Sequence, residues 1–116
     1  MKKLNVFIII VTISMLSCQS NTYEEAIGLV DHPTYEANVK PIIELNCLDC
    51  HGTSSTLHQW PPLETYAQVK HAAESFNLLC RINGDECGAR MPLLRSMPQV
   101  NIDIINQWAA EGFANQ

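Results

Sequence analysis

The sequence predicts an all-α domain behind an export segment and a polar tether, and three observations carry that expectation. Apolar residues recur at spacings of three and four in three separate segments. Alternating β-branched runs are few. The chain has 116 residues, 47% hydrophobic and 16% charged, with no charge block or internal repeat, which suits one small globular unit and no second copy of any site. The folded part, 34–116, has only about 80 residues, a size at which apolar burial alone is marginal and a covalent or metal staple is commonly needed.

At the N-terminus Lys2 and Lys3 precede an apolar stretch from Leu4 to Leu16 and then Ser17-Cys18, the plan of a secretory signal. With about 13 residues the stretch is short for a bilayer span, so an uncleaved anchor is the lesser expectation. Ser14-Met15-Leu16-Ser17-Cys18 resembles a lipobox, with Cys18 where the lipid-modified cysteine stands; Met15 and Leu16 depart from its commonest form. Residues 1–17 are thus expected to be a lipoprotein-type signal peptide and Cys18 the lipidation site. The alternative is an ordinary cleaved signal that leaves Cys18 without that role. The polar run from Gln19 to His32 suits a tether over 18–33, or else a short arm packed on the domain.

The first helical face is Tyr35, Val39, Ile42 and Ile43. Pro41 interrupts it, so the helix kinks there or a second one begins with Pro41 in its first turn, where a missing amide hydrogen does little harm. A second helix is expected from about Glu64 to Leu79, with Val69, Ala72, Ala73, Phe76 and Leu79 on one face behind the entry Trp60-Pro61-Pro62-Leu63. A third runs from Asn101 as cap through Ile104, Ile105, Trp108 and Ala109 to a stop at Gly112.

Between the first two helices lies Cys47-Leu48-Asp49-Cys50-His51-Gly52, which matches the CxxCH attachment site of a c-type haem. On a short helical turn residues three apart share a face, so two thiols reach the two vinyl edges of one porphyrin. His51 follows at once and is placed to turn its imidazole onto the iron as proximal ligand. Gly52, without Cβ, lets backbone approach a flat ring and permits positive φ. The competing uses of Cys47 and Cys50 are a redox dithiol or half of a zinc site. The five cysteines divide without remainder: Cys18 for lipid, Cys47 and Cys50 for haem, and Cys80 with Cys87 as a disulfide or two free thiols. A disulfide closes a small loop with Asn83-Gly84-Asp85 at its centre, a turn-forming run, in an oxidising compartment. As the second half of a tetrathiolate zinc site, Cys80 and Cys87 are spaced too widely, since paired zinc ligands usually lie about two to four residues apart. A thioredoxin-like role lacks its βαβ setting.

From Tyr35 to Phe113 the chain resembles the class I cytochrome c family, in particular its small bacterial single-haem members. The resemblance is carried by Val39-Lys40-Pro41-Ile42-Ile43, by Cys47-Leu48-Asp49-Cys50-His51-Gly52, by Arg90-Met91-Pro92, and by Ile105 and Trp108 before Glu111-Gly112. It implies a small helical domain wrapped around one covalently attached haem, with the Val39–Ile43 region crossing against Trp108. It also implies Met91 as distal iron ligand, a methionine followed by proline before the last helix. Met97, followed by Pro98 six residues later, is the second choice, and core filling is the ordinary use of either thioether. His32, His58 and His71 are lesser candidates for the sixth position, with His58 the best placed in the loop after the motif. Trp60 is a candidate for the haem edge or for a loop anchor. Arg81, Arg90 and Arg95 are candidates to pair a propionate through their guanidinium forks, or else simple surface arginines.

Net charge is −5 for the whole chain; removal of residues 1–17 takes away Lys2 and Lys3 and no acid, leaving five basic residues against twelve acidic, or −7. Nucleic acid is therefore not an expected partner. No basic run attracts anionic lipid, so the expected membrane hold is the lipid on Cys18. The leading expectation is a one-electron carrier, not an enzyme, exported to the cell envelope, its iron closed by a thioether that raises the potential, with redox proteins docking near the haem edge. The alternatives are a five-coordinate haem domain for gas binding or peroxide reduction, and a zinc or disulfide structural module.

Overall fold

Thr34 begins the folded chain with a cap: its hydroxyl accepts from the Ala37 amide, and its own amide donates to Asn38 Oδ1 at 2.9 Å. A computed structural model describes residues 30–116, and among these the regular structure is entirely helical. Cys18, the signal segment and most of the tether lie outside the described residues.

Tyr35–Val39 forms a π-helical turn that runs into α1, Lys40–Asn46. Pro41 gives the wide turn a physical reason: it has no amide to offer Ala37, and its ring crowds the carbonyl four residues back. The Lys40 amide instead reaches Tyr35 O, and Pro41 sits in the first turn of α1 as one of the two expected arrangements. After Cys47 comes the single turn α2, Leu48–His51.

The second expected helix is divided. α3 is Tyr66–Ser75, opened by Thr65 in a capping box whose partner is Gln68. Asn77 then takes the left-handed region at φ 57°, which a short polar side chain tolerates, and α4 restarts as Leu78–Asn83. The break turns Leu78 and Ile82 into the core, where an unbroken helix presents Leu79 and Phe76. The last helix, α5, is Gln99–Ala110 and starts before the expected cap. Pro98, already at φ −55°, accepts at its carbonyl from the Asn101 and Ile102 amides, so the helix begins there and Asn101 lies within it.

These elements enclose one core that includes Val39, Ile42, Ile43, Val69, Ala72, Leu78, Ile82, Ile102, Ile105 and Trp108. Trp108 is its hub: fully buried, with ring centroids 6.0 Å from Tyr35, 6.3 Å from Tyr66 and 4.9 Å from Phe113. The C-terminal tail then clips the two ends of the domain together. Ala114 O accepts from both Trp108 Nε1 and the Tyr35 amide, each at 2.8 Å, and Phe113 O accepts from the Tyr66 hydroxyl at 2.8 Å.

Ahead of Thr34, Pro33 is fully buried and His32 Nδ1 lies 3.0 Å from the Glu111 carboxylate. That hydrogen bond, helped by the charges of Asp31 and Glu111, raises the His32 pKa above its ordinary 6.5. The protonated ring and the ionised Glu111 carboxylate are the forms that bind, so the hold is present below pH 6.5, fades as pH rises through the raised His32 value, and is lost in acid as Glu111 protonates through its lowered one. Titration of the His32 ring by NMR is expected to show this elevation, and Glu111→Gln to bring the midpoint down towards 6.5; an unchanged midpoint refutes the pairing.

Candidate haem site

Cys47 stands at the joint of α1 and α2. Its amide donates to Ile43 O at 2.8 Å, while its carbonyl accepts from Cys50 at 3.1 Å and His51 at 2.8 Å, so the motif is one helical turn. Among the described residues neither thiol is bonded to the other or to another cysteine. Burial pushes the Cys47 thiol up to about 11, against a lowering by the Arg95 guanidinium.

Gly52 does not use the positive φ that was expected of it, and the structure shows a further reason for it. Its φ is −90°, so no left-handed backbone is involved; a Cβ there lies 2.7 Å from Leu48 O, the carbonyl that its own amide caps. The chain then folds back over α2. Gln59 N donates to Cys50 O at 2.8 Å and Leu63 N to His51 O at 3.1 Å, while the buried Ser55 hydroxyl donates to Asp49 O at 2.6 Å. Glu64 ties the loop to the start of α3 by accepting from the Thr53 hydroxyl and amide, which together hold its carboxyl below the ordinary range.

This return loop fixes the histidine. His51 Nδ1 is 2.7 Å from the carbonyl of Pro61; a carbonyl only accepts, so Nδ1 carries a proton, and in the neutral ring Nε2 keeps its lone pair. That is the tautomer a metal-ligating imidazole needs, and the bond to the Pro61 carbonyl sets the orientation of the ring. Protein-family models, curated proteins and solved structures yield no match to this chain. The chemistry of the site therefore rests on its own residues.

The two Met-Pro candidates occupy different surroundings. Met97 is 5% exposed and belongs to the core cluster, whereas Met91 is half-buried and stands outside it. The segment bearing them is tied at two points: Met91 N donates to Arg81 O at 2.9 Å, and the Arg95 guanidinium donates to Leu45 O, two residues before Cys47. The Met91 segment and the attachment turn are thereby brought to the same part of the molecule. Large apolar side chains there lack protein cover: Leu45 before the motif, Leu57 and Trp60 after it, and Leu93 and Leu94 beside Met91, with Trp60 72% and Leu94 98% exposed.

Most of the remaining candidates have contacts of their own. His58 Nε2 donates to Thr53 O at 3.0 Å, His71 packs edge-on to Phe76 at 5.0 Å, and His32 pairs with Glu111. Trp60 also meets Phe76 edge-on, at 5.9 Å. Arg81 Nε donates to Cys87 O at 3.5 Å, and Arg90 is exposed. Cys80 and Cys87 are joined, with Cα atoms 6.0 Å apart, so they have no thiolates to lend to a zinc ion. Among the described residues no group of three or more His, Cys, Asp or Glu side chains surrounds a common metal point.

The residues present fit a c-type haem. Two unbonded thiols three apart, an imidazole with Nδ1 occupied, a thioether outside the core on the segment that Arg95 ties to Leu45 O, and uncovered apolar side chains match what that group requires. The Pro61 carbonyl and the Arg95 tie went unforeseen. A backbone acceptor leaves no mark in residue type, and Arg95 looks like any surface arginine.

Proposed function

We propose that this chain is a one-electron carrier of the cell envelope that holds a single haem c through Cys47 and Cys50. The observation that carries the reading is the His51 Nδ1 bond to Pro61 O immediately beside two unbonded thiols. A c-type haem attached there supplies an iron that passes between ferrous and ferric states. His51 Nε2 is the proximal ligand, and Met91 closes the other side, so no position is left for a substrate. Met91 is preferred to Met97, whose side chain already packs within the core. Export and lipidation at Cys18 complete the reading, with redox proteins as partners near the haem edge.

The test is the optical spectrum of the oxidised and reduced protein, matured in a host that attaches c-type haem. We expect a low-spin spectrum with a methionine-to-iron charge-transfer band. Met91→Ala abolishes the band and speeds carbon monoxide binding by the reduced protein. Met97→Ala keeps the band and loses stability, about 2–5 kcal/mol for a buried methionine. A colourless wild-type protein, or a band that survives Met91→Ala, overturns the assignment.

A further inference from the structure

Met91 lies in the stretch 84–98, which contains no helix and is mostly exposed, so its position depends on a few ties. Several converge on α4. Cys80 is bonded to Cys87; Arg81 Nε donates to Cys87 O; and Arg81 O accepts from the Met91 amide. Between these points Gly88 adopts φ +114° and presses on the same arginine, where a Cβ would lie 2.6 Å from Nη2. The chain leaves α4, is pinned back on it by the disulfide, wraps Arg81, and delivers Met91 to the Arg81 carbonyl. Beyond Met91 the next tie is Arg95 to Leu45 O.

We propose that Cys80–Cys87 is a redox-controlled clasp for the distal ligand: closed, it positions Met91, and opened by a dithiol it frees Met91 and admits a small neutral ligand to the iron. This rests on the haem reading above. Cys87 is exposed, so a reducing thiolate has access to the bond. The dithiol attacks through a mixed disulfide, the Cys80–Cys87 bond breaks, and two electrons and two protons pass to the protein as two thiols while the dithiol becomes a disulfide. What then holds Met91 to α4 is one backbone hydrogen bond and one long arginine bond, each of modest net strength. Cys80 and Cys87 are positioning residues here, since they act on the iron only through Met91.

The experiment uses the haem-loaded protein with its iron reduced by ascorbate, before and after anaerobic dithiothreitol. Opening the disulfide is expected to speed carbon monoxide binding about tenfold or more, and to raise hydrogen exchange at the Met91 amide similarly, as suits the loss of a restraint worth at least one hydrogen bond. Reoxidation with oxidised glutathione restores both values, which separates release of the loop from unfolding. Cys80→Ser with Cys87→Ser reproduces the reduced state, with its far-UV circular dichroism as the check on folding. Gly88→Ala moves both readouts part of the way with the disulfide intact. If the methionine band is present and neither carbon monoxide binding nor Met91 exchange responds to dithiothreitol, the clasp is wrong and the haem reading stands. If the untreated protein has no methionine band, both fall.

Discussion

Replacing Cys47 and Cys50 together by serine yields a protein from which no haem can be recovered in covalent form. The expectation rests on the proposed haem reading and on one helical turn that carries all three residues: His51 would supply a coordinate bond, and only the two sulfurs would supply bonds that survive denaturation. On a denaturing gel the wild type carries a haem-staining band and the double variant none; each single variant keeps one thioether and stains more weakly. The effect reaches the fold. A domain of about 80 residues is short of apolar burial, and Leu45, Leu57, Trp60, Leu93 and Leu94 remain uncovered by protein. The double variant is therefore expected to lose far-UV ellipticity and to aggregate more readily. Staining equal to wild type disproves attachment at these cysteines. Normal yield and ellipticity without haem disproves the coupling of cofactor to fold.

The helix faces were legible because burial repeats at helical spacing: Val39, Ile42, Ile43, Val69, Ala72, Ile105 and Trp108 were expected inside and are buried. The division of the second helix was not. Phe76, Leu78 and Leu79 continue the apolar helical spacing on either side of Asn77, and Asn77 does not announce that its backbone will turn left-handed. Only packing selects Leu78 and Ile82 over the alternative face. Likewise Asn101 is a good cap by residue type, yet Pro98 is already in a conformation from which a helix starts.

At the site, the motif Cys47 to His51 was visible from residue types alone because its chemistry is carried by side chains. Its support was not, because Pro61, Leu45 and Arg81 act through carbonyls that every residue possesses. The two Met-Pro pairs, Met91-Pro92 and Met97-Pro98, are the sharpest case. As dipeptides they are identical, so the precedence of Met91 came from the family resemblance and not from local chemistry. Tertiary burial divides them, placing Met97 in the core and leaving Met91 outside it.

Trp108→Ala is expected to cost about 3–5 kcal/mol, enough to leave so small a domain largely unfolded. The indole does two separable things. Its ring meets Tyr35, Tyr66 and Phe113, so truncation empties the place where the first helical turn, α3 and the C-terminal tail come together. Its Nε1–H also holds Ala114 O, the same carbonyl that receives the Tyr35 amide. Trp108→Phe separates the two by keeping a ring while removing the donor, and is expected to lose about 1–2 kcal/mol, between the value of a hydrogen bond and that of a trimmed core side chain. Urea denaturation of the haem-loaded proteins, followed by circular dichroism, gives both values. Equal losses for the alanine and phenylalanine variants transfer the main role from ring packing to the Ala114 hydrogen bond. An alanine variant within about 1 kcal/mol of wild type means that the haem, and not the aromatic cluster, holds the two ends of the chain together.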